Sequence, residues 1–148
     1  MLEITESAQP DPVAVAETLA ALKGLGVRLA IDDFGTGFAS ISRLLDSPFD
    51  VIKIDESLVH AMRTDPRAAA IASGIIDLGR RLGAHTIAEG IEGASEASQL
   101  RQMGCDLGQG FHFAAGLPPG ELDEQLVRSG YPVARRRRTS TRRASAAG

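Results

Sequence analysis

Residues 27–37 read VRLAIDDFGTG, and this stretch decides both the fold and the candidate site of the chain. A short apolar run ends in two adjacent acids, Asp32 and Asp33, and two glycines follow within four residues. Neighbouring residues of a strand face opposite sides, so both acids can reach one site only where the strand has ended and the backbone turns. Glycine tolerates the backbone angles of such a turn. The stretch therefore predicts a buried strand over 27–31 and then a turn that carries paired carboxylates.

Three further apolar runs end in acid in the same way. They close at Glu6, at Asp55 and at the pair Glu89 and Glu92. Carboxylates are costly inside an apolar core, whereas at the end of a strand they can point out of the sheet toward a shared edge. Several such edges meeting at one place would form a cage of oxygen ligands, which hard divalent cations prefer.

Helix signals alternate with these runs along the chain. Near-continuously apolar strands that alternate with helices predict a parallel sheet with right-handed crossovers and its chemistry at the carboxyl ends of the strands. Asp-Pro pairs suit two of the helix starts, and glycines suit the helix ends. Helices are predicted over 13–25, 38–45, 67–82, 95–103 and 121–128, strands over 27–31, 51–54 and 84–88, and a short strand or turn over 105–110.

Five sequence blocks in chain order resemble the C-terminal half of the EAL domain, the bacterial cyclic-di-GMP phosphodiesterase. The blocks are EITES at 3–7, DDFGTG at 32–37, KID at 53–55, AEGIE at 88–92 and QGF at 109–111. The DDFGTG string is specific on its own, and the order of the five blocks strengthens the match. The resemblance implies an α/β fold, a partial (β/α) TIM-like barrel with parallel strands whose N-terminal half is missing.

The resemblance also implies roles for the acidic residues. A two-metal site of Mg²⁺ or Mn²⁺ would be held by Glu3, Asp32, Asp33 and Asp55. Glu89 would activate the attacking water or complete the metal shell, and Lys53 would orient that water or steady phosphate charge. Positions that support the ligands or contact substrate would be Glu6, Glu92 and Gln109. In the intact domain, this site would open cyclic-di-GMP to linear pGpG by in-line attack of an activated water.

The same residues have structural alternatives. One Asp of the Asp32 and Asp33 pair could cap a helix while the other is exposed. Glu3 lies near the start of the chain, where a fraying strand end would be a poor place for a ligand. Lys53 and Asp55 alternate with isoleucines, so both point to one face and could form a structural ion pair.

Length and charge narrow the class of protein. A chain of 148 residues suits one ordinary domain and falls short of the about 250 residues of a complete TIM barrel. The net charge of −3 hides an acidic body, because six of the 16 basic residues are arginines beyond residue 134, where no acid occurs. The tail is predicted to be disordered, either as a solvated extension or as an arm that binds nucleic acid or anionic lipid. We therefore predict the C-terminal part of an EAL domain over 1–130 and a disordered Arg-rich tail over 131–148.

The cysteine, the histidines and the lengths of the apolar stretches exclude other classes of protein. Cys105 is the single cysteine, so it cannot form an intramolecular disulfide, and the three histidines lack the spacing of a zinc site. No apolar stretch approaches the about 20 residues of a membrane span, and no signal peptide is visible. We therefore expect a cytoplasmic protein without a membrane span.

Three interpretations of function stay open at this point. The Glu-Ala-Leu string that names the family does not occur, nor do counterparts of the Glu and Asn that its first half adds to the metal cage. The first interpretation is a phosphodiesterase whose other half comes from an upstream segment or a separate chain. The second is a truncated, inactive remnant that binds cyclic-di-GMP or forms a homodimer. The third is a protein that binds nucleic acid or membrane through its Arg tail. We favour the first as family identity and expect little or no hydrolysis by these 148 residues alone.

Overall fold

In a computed structural model of the chain, residues 1–4, 12–35 and 48–130 are described. They belong to two units, Met1–Ala115 and Gly116–Gly148. The strands of the first unit are β1 (Leu2–Ile4), β2 (Leu29–Phe34), β3 (Val51–Ile54), β4 (His85–Ala88) and β5 (Leu107–Gly108). Its helices are α1 (Pro12–Gly24), α2 (Glu56–Ala61), α3 (Pro66–Leu82) and α4 (Ala94–Met103), and the second unit contains α5 (Pro119–Arg128).

The five strands form one sheet in the order β1-β2-β3-β4-β5, and every neighbouring pair is parallel. The predicted α/β class with a parallel sheet is therefore confirmed. Because all strands run the same way, their carboxyl ends lie along one edge of the sheet, and residues that follow them in the sequence meet there.

Several predicted elements occur with nearly the predicted bounds. β3 matches its prediction, and α3 begins one residue early, where the Asp65 side chain accepts the Arg67 N–H at 2.8 Å. Gly83 ends α3 in the left-handed conformation, with φ 72°. α2 was not predicted; it begins because the Asp55 carboxylate accepts the Ser57 N–H at 2.9 Å. The helix predicted over 38–45 and the tail beyond residue 130 lie outside the described residues.

The end of β2 differs from its prediction. The strand does not stop at Ile31 but continues through both aspartates to Phe34. Its register with β3 shifts between Ile31 and Phe34, where one extra residue is accommodated and Asp33 takes φ 57°. This bulge returns the Phe34 side chain to the buried face of the sheet. The backbone irregularity that the paired acids require is thus a bulge within the strand rather than a turn after it.

Helix α3 covers β3 and β4 and supplies much of the core. Its buried residues Ala72, Ile75 and Ile76 recur at helical spacing and pack in the same cluster as Ile52 and other residues of the sheet. No helix among the described residues is long and apolar enough to cross a membrane.

Two acids close the opposite edge of the sheet, at the amino ends of the strands. Asp50 precedes β3 and accepts both the Leu29 N–H at 2.9 Å and the Lys23 ammonium at 2.7 Å. Asp106 precedes β5 and accepts the N–H and the hydroxyl of Thr86, at 2.8 and 3.0 Å. In each case a carboxylate satisfies a backbone donor near the start of the neighbouring strand, so the amino edge has a structural explanation for both acids.

Replacing Asp50 with alanine should lower the free energy of unfolding by about 1–3 kcal/mol, because the buried Leu29 N–H loses its acceptor. The Lys23 ammonium and the Leu29 N–H hold the pKa of Asp50 below its ordinary 3.8. The carboxylate's contribution is therefore present above pH 3.8 and is lost as the pH falls through the lower pKa of the folded state. Urea denaturation at pH 7 and at pH 2.5 measures both effects. A gap between wild type and Asp50→Ala that is as wide at pH 2.5 as at pH 7 would contradict this account.

Candidate active site at the carboxyl ends of the strands

Lys53 lies at the centre of the candidate site. It is a residue of β3 and only 6% exposed, although it carries a charge. Its ammonium is 2.8 Å from Asp32 Oδ1, 2.9 Å from Glu89 Oε1 and 3.1 Å from Glu3 Oε1. The four side chains come from β1, β2, β3 and the end of β4, and we call them the lysine cluster. A single buried cation thus holds three carboxylates that are far apart in sequence.

Strand register brings the cluster together. Ile31 pairs with Ile52, so Asp32 comes next to Lys53 on the neighbouring strand. Glu89 directly follows β4, where its N–H donates to the Ile54 carbonyl at 3.1 Å. These positions follow from parallel pairing, since Glu3, Asp32 and Lys53 lie on three adjacent parallel strands and Glu89 directly follows the fourth.

The positive and negative charges of the lysine cluster do not balance. Burial alone would lower the pKa of Lys53, but the hydrogen bonds that its ammonium donates to Asp32, Glu89 and Glu3 outweigh burial and raise that pKa above its ordinary 10.5. Lys53 is therefore charged at neutral pH, and one ammonium faces three carboxylates. The side chain of Glu3 is 45% exposed, against 15% for Asp32 and 20% for Glu89. The cluster thus presents excess negative charge at an accessible rim, which favours cations over anions.

The other two predicted ligands lie differently. Asp55 follows β3, but its carboxylate accepts hydrogen bonds from the N–H and the hydroxyl of Ser57 and caps α2. Asp33 is exposed on the bulge of β2. Lys53 forms its ion pairs within the lysine cluster, so the structural alternative of a pair with Asp55 is replaced by a larger network.

The donor set of this rim has the chemistry that Mg²⁺ and Mn²⁺ prefer, since carboxylate oxygens dominate it. Within the described residues, however, no group of three Asp, Glu, His or Cys side chains is placed to hold a metal ion. The metal-ligand roles of Glu3, Asp32, Asp33 and Asp55 therefore stay predictions. Glu6, predicted to support them, lies outside the described residues.

Glu92 and Gln109 have exposed side chains near the same edge. Their backbones are ordered by neighbours: the Gln109 N–H donates to the Ala88 carbonyl at 2.8 Å, and the Glu92 N–H donates to Glu96 Oε2 at 2.8 Å. The supporting or substrate-contacting roles of both residues stay predictions.

Sequence reasoning missed two residues next to this rim, Glu96 and His60. Glu96 is 3% exposed and accepts the N–H groups of Glu92 and Gly93. Burial alone would raise the pKa of Glu96, but these two N–H groups and the nearby Arg63 hold it below its ordinary value. The available signal was an acid near the start of a predicted helix and three residues after Gly93, which is the spacing of a capping box. His60 had no sequence signal beyond its failure to form a zinc motif.

The EAL domain family model matches residues 1–115, and the chain belongs to this family. The cyclic di-GMP phosphodiesterase RocR of Pseudomonas aeruginosa is 39% identical over 119 residues, which are 80% of this chain and 30% of RocR. The EAL domain of Mycobacterium smegmatis DcpA has a TM-score of 0.80 and 36% identity, over 88% of this chain and 59% of that domain. The manganese and cyclic-di-GMP complex of Klebsiella pneumoniae BlrP1 has a TM-score of 0.69 and 34% identity, over 74% of this chain and 28% of that protein.

These similarities confirm the family that the five sequence blocks suggested. They also show that the chain spans less than a third of RocR and about three fifths of the DcpA domain.

Proposed function

We propose that this chain contributes the C-terminal part of a metal-dependent cyclic-di-GMP phosphodiesterase site. The observation that carries the proposal is the lysine cluster, in which a buried ammonium gathers carboxylates from three other strand positions at one rim. Membership of the EAL family and likeness to a phosphodiesterase and to a cyclic-di-GMP complex support it.

The residues of the cluster have suitable chemistry for opening a phosphodiester. The charged Lys53 ammonium has three N–H donors, and a donor that exchanges its carboxylate for a phosphate oxygen or the attacking water would stabilise that group. Glu89 can accept a proton from that water or complete a metal shell. Mg²⁺ or Mn²⁺ held by Glu3, Asp32, Asp33 and Asp55 would activate water and neutralise phosphate charge.

We further propose that sequence beyond these 148 residues completes the site. The chain spans 59% of the DcpA EAL domain, and the affinity of an oxygen cage for a hard ion depends on the number of its carboxylates. The outer strands β1 and β5 expose Leu2 and Leu107, and these strands are the places where further strands of a barrel would pair. Little or no turnover is therefore expected from the chain alone.

Conversion of cyclic-di-GMP to pGpG should appear when the N-terminal part of the DcpA EAL domain is joined to this chain and Mg²⁺ or Mn²⁺ is supplied. The chain alone should show little conversion, and Asp32→Asn in the joined protein should lower turnover by at least about 100-fold, because a carboxylate at the metal rim is lost. The amount of pGpG formed with and without EDTA, which removes the metal ion, is measured for each protein. An exposed acid outside the rim, Asp77, provides the matched control Asp77→Asn, which should leave turnover unchanged.

Two outcomes would count against the proposal. A joined protein that folds cooperatively but does not hydrolyse cyclic-di-GMP would overturn the assignment, and binding without turnover would favour an inactive binding module. Turnover that persists in Asp32→Asn would remove the proposed role of the rim.

A further inference from the structure

The residues Glu89–Gly93 form a segment at the rim, and we call it the rim segment. It carries Glu89, which contacts the Lys53 ammonium at 2.9 Å. In its middle, the buried Ile91 donates its N–H to the Gln109 carbonyl at 3.0 Å and accepts the His112 N–H at 2.9 Å. The chain after β5 thus holds the rim segment from one side.

Helix α2 holds the rim segment from a second side. His60 Nε2 lies 2.8 Å from the Gly90 carbonyl oxygen, and since a carbonyl can only accept, Nε2 is the donor. Gly90 takes φ 67°, and a Cβ at this position would lie 2.4 Å from the Glu56 Cβ. Only glycine permits this close approach of α2 to the segment.

Helix α4 holds the segment from a third side through Glu96. Its Oε2 accepts the Glu92 N–H at 2.8 Å and the Gly93 N–H at 2.9 Å, and Arg63 Nε is 3.9 Å from its other oxygen. A buried carboxylate is costly unless it is well hydrogen-bonded. Capping a helix does not by itself require a buried charge, because an exposed Ser or Asp would serve.

We propose that Glu96 and His60 are positioning residues of the phosphodiesterase site, which hold the rim segment so that the Glu89 carboxylate stays on Lys53. Two different helices place polar side chains on the same segment, and both contacts lie within four residues of Glu89. The positioning role in catalysis rests on the proposed function, whereas the effect on the contact between Glu89 and Lys53 can be measured without any turnover.

The test follows hydrogen exchange of the Lys53 ammonium by NMR in the 148-residue chain. Glu96→Ala should accelerate this exchange about tenfold or more, because two N–H groups of the rim segment lose a charged acceptor and a loss of that kind corresponds to at least about a factor of ten. Glu96→Gln keeps an oxygen that accepts the two N–H groups, so its exchange should stay close to wild type. His60→Ala should accelerate exchange as well, and it carries the test by itself if Glu96→Ala does not fold.

Asp106→Ala is the matched control. It removes a carboxylate that also accepts two hydrogen bonds, but at the amino edge of the sheet. It should reduce stability while leaving the exchange of the Lys53 ammonium unchanged. The proposal is overturned if folded Glu96→Ala and His60→Ala leave that exchange at the wild-type rate, or if Asp106→Ala accelerates it equally. Failure of the joined protein to hydrolyse cyclic-di-GMP would instead overturn the proposed function and leave the contact with Lys53 as measured.

Discussion

Replacing Lys53 with methionine should lower the free energy of unfolding by about 3–5 kcal/mol at pH 7, because it leaves two mostly buried carboxylates, Asp32 and Glu89, without their cation. The methionine side chain fills much of the space of the lysine stem, so the loss of charge is tested more directly than the loss of volume. Asp32 and Glu89 are mostly buried, and both lose an ion pair shorter than 3 Å. Equilibrium urea denaturation measures the change.

Lys23→Met is the matched control for this prediction. Lys23 also forms a short ion pair, at 2.7 Å from Asp50, but its side chain is 33% exposed and it has one carboxylate partner. Solvent-exposed pairs of this kind contribute about 1 kcal/mol or less. Equal losses in the two variants would show that burial and the number of partners do not set the strength of the lysine cluster.

The pH dependence of the same comparison has a definite sign. The pKa of Lys53 is raised above 10.5 in the folded state, so its stabilisation is fully present below pH 10.5 and is lost only as the pH rises through the folded value. The part of the difference in free energy of unfolding between wild type and Lys53→Met that depends on the Lys53 charge should therefore be the same at pH 7 and pH 9. A gap that closes within this range would contradict a charged Lys53 held by three carboxylates.

The parts of the fold that sequence predicted well depend on local signals. The start of α3 at the pair Asp65 and Pro66 and its end at Gly83 are examples, because capping groups act within one helical turn. The meeting of Glu3, Asp32 and Glu89 was also foreseeable, since residues near the carboxyl ends of neighbouring parallel strands lie close together.

The ion-pair partners of Lys53 were harder to predict from the sequence. Alternation along a strand placed Lys53 and Asp55 on one face, and this would hold if the strand continued. Instead β3 ends at Ile54, and the Asp55 carboxylate caps α2. The ion pairs of Lys53 are made with residues of neighbouring strands that are far away in sequence, and no local sequence pattern predicts such contacts.

The acids that stabilise backbone groups were hidden for a related reason. Asp50 and Asp106 look like ordinary surface acids in the sequence, and only tertiary packing brings backbone N–H groups to them. The bulge of β2 is equally non-local, because it is defined by the register of Phe34 against Ile54. Sequence therefore located the rim but not the contacts that fix its side chains.

Gly110→Ala should lower the free energy of unfolding by about 2–5 kcal/mol, through two effects at one position. Gly110 has φ 154°, a backbone conformation that residues with a Cβ rarely adopt, and replacing glycine there costs about 1–2 kcal/mol. A Cβ would also lie 2.2 Å from the Ile91 carbonyl oxygen and 2.3 Å from the Ile91 nitrogen. These are backbone atoms of the rim segment, so they cannot move aside as a flexible side chain does, and overpacking adds about 1–3 kcal/mol.

Gly83→Ala separates the two effects. Gly83 also has a positive φ, 72°, but no atom lies within 4 Å of a Cβ built there, so only the conformational cost of about 1–2 kcal/mol applies. Urea denaturation should rank Gly110→Ala well above Gly83→Ala in destabilisation. Because the displaced atoms belong to the segment that carries Glu89, Gly110→Ala should also accelerate exchange of the Lys53 ammonium, and Gly83→Ala should not. Equal losses for the two glycines, with no change at Lys53, would show that the backbone of Ile91 yields freely and that the rim segment is not held as tightly as its contacts indicate.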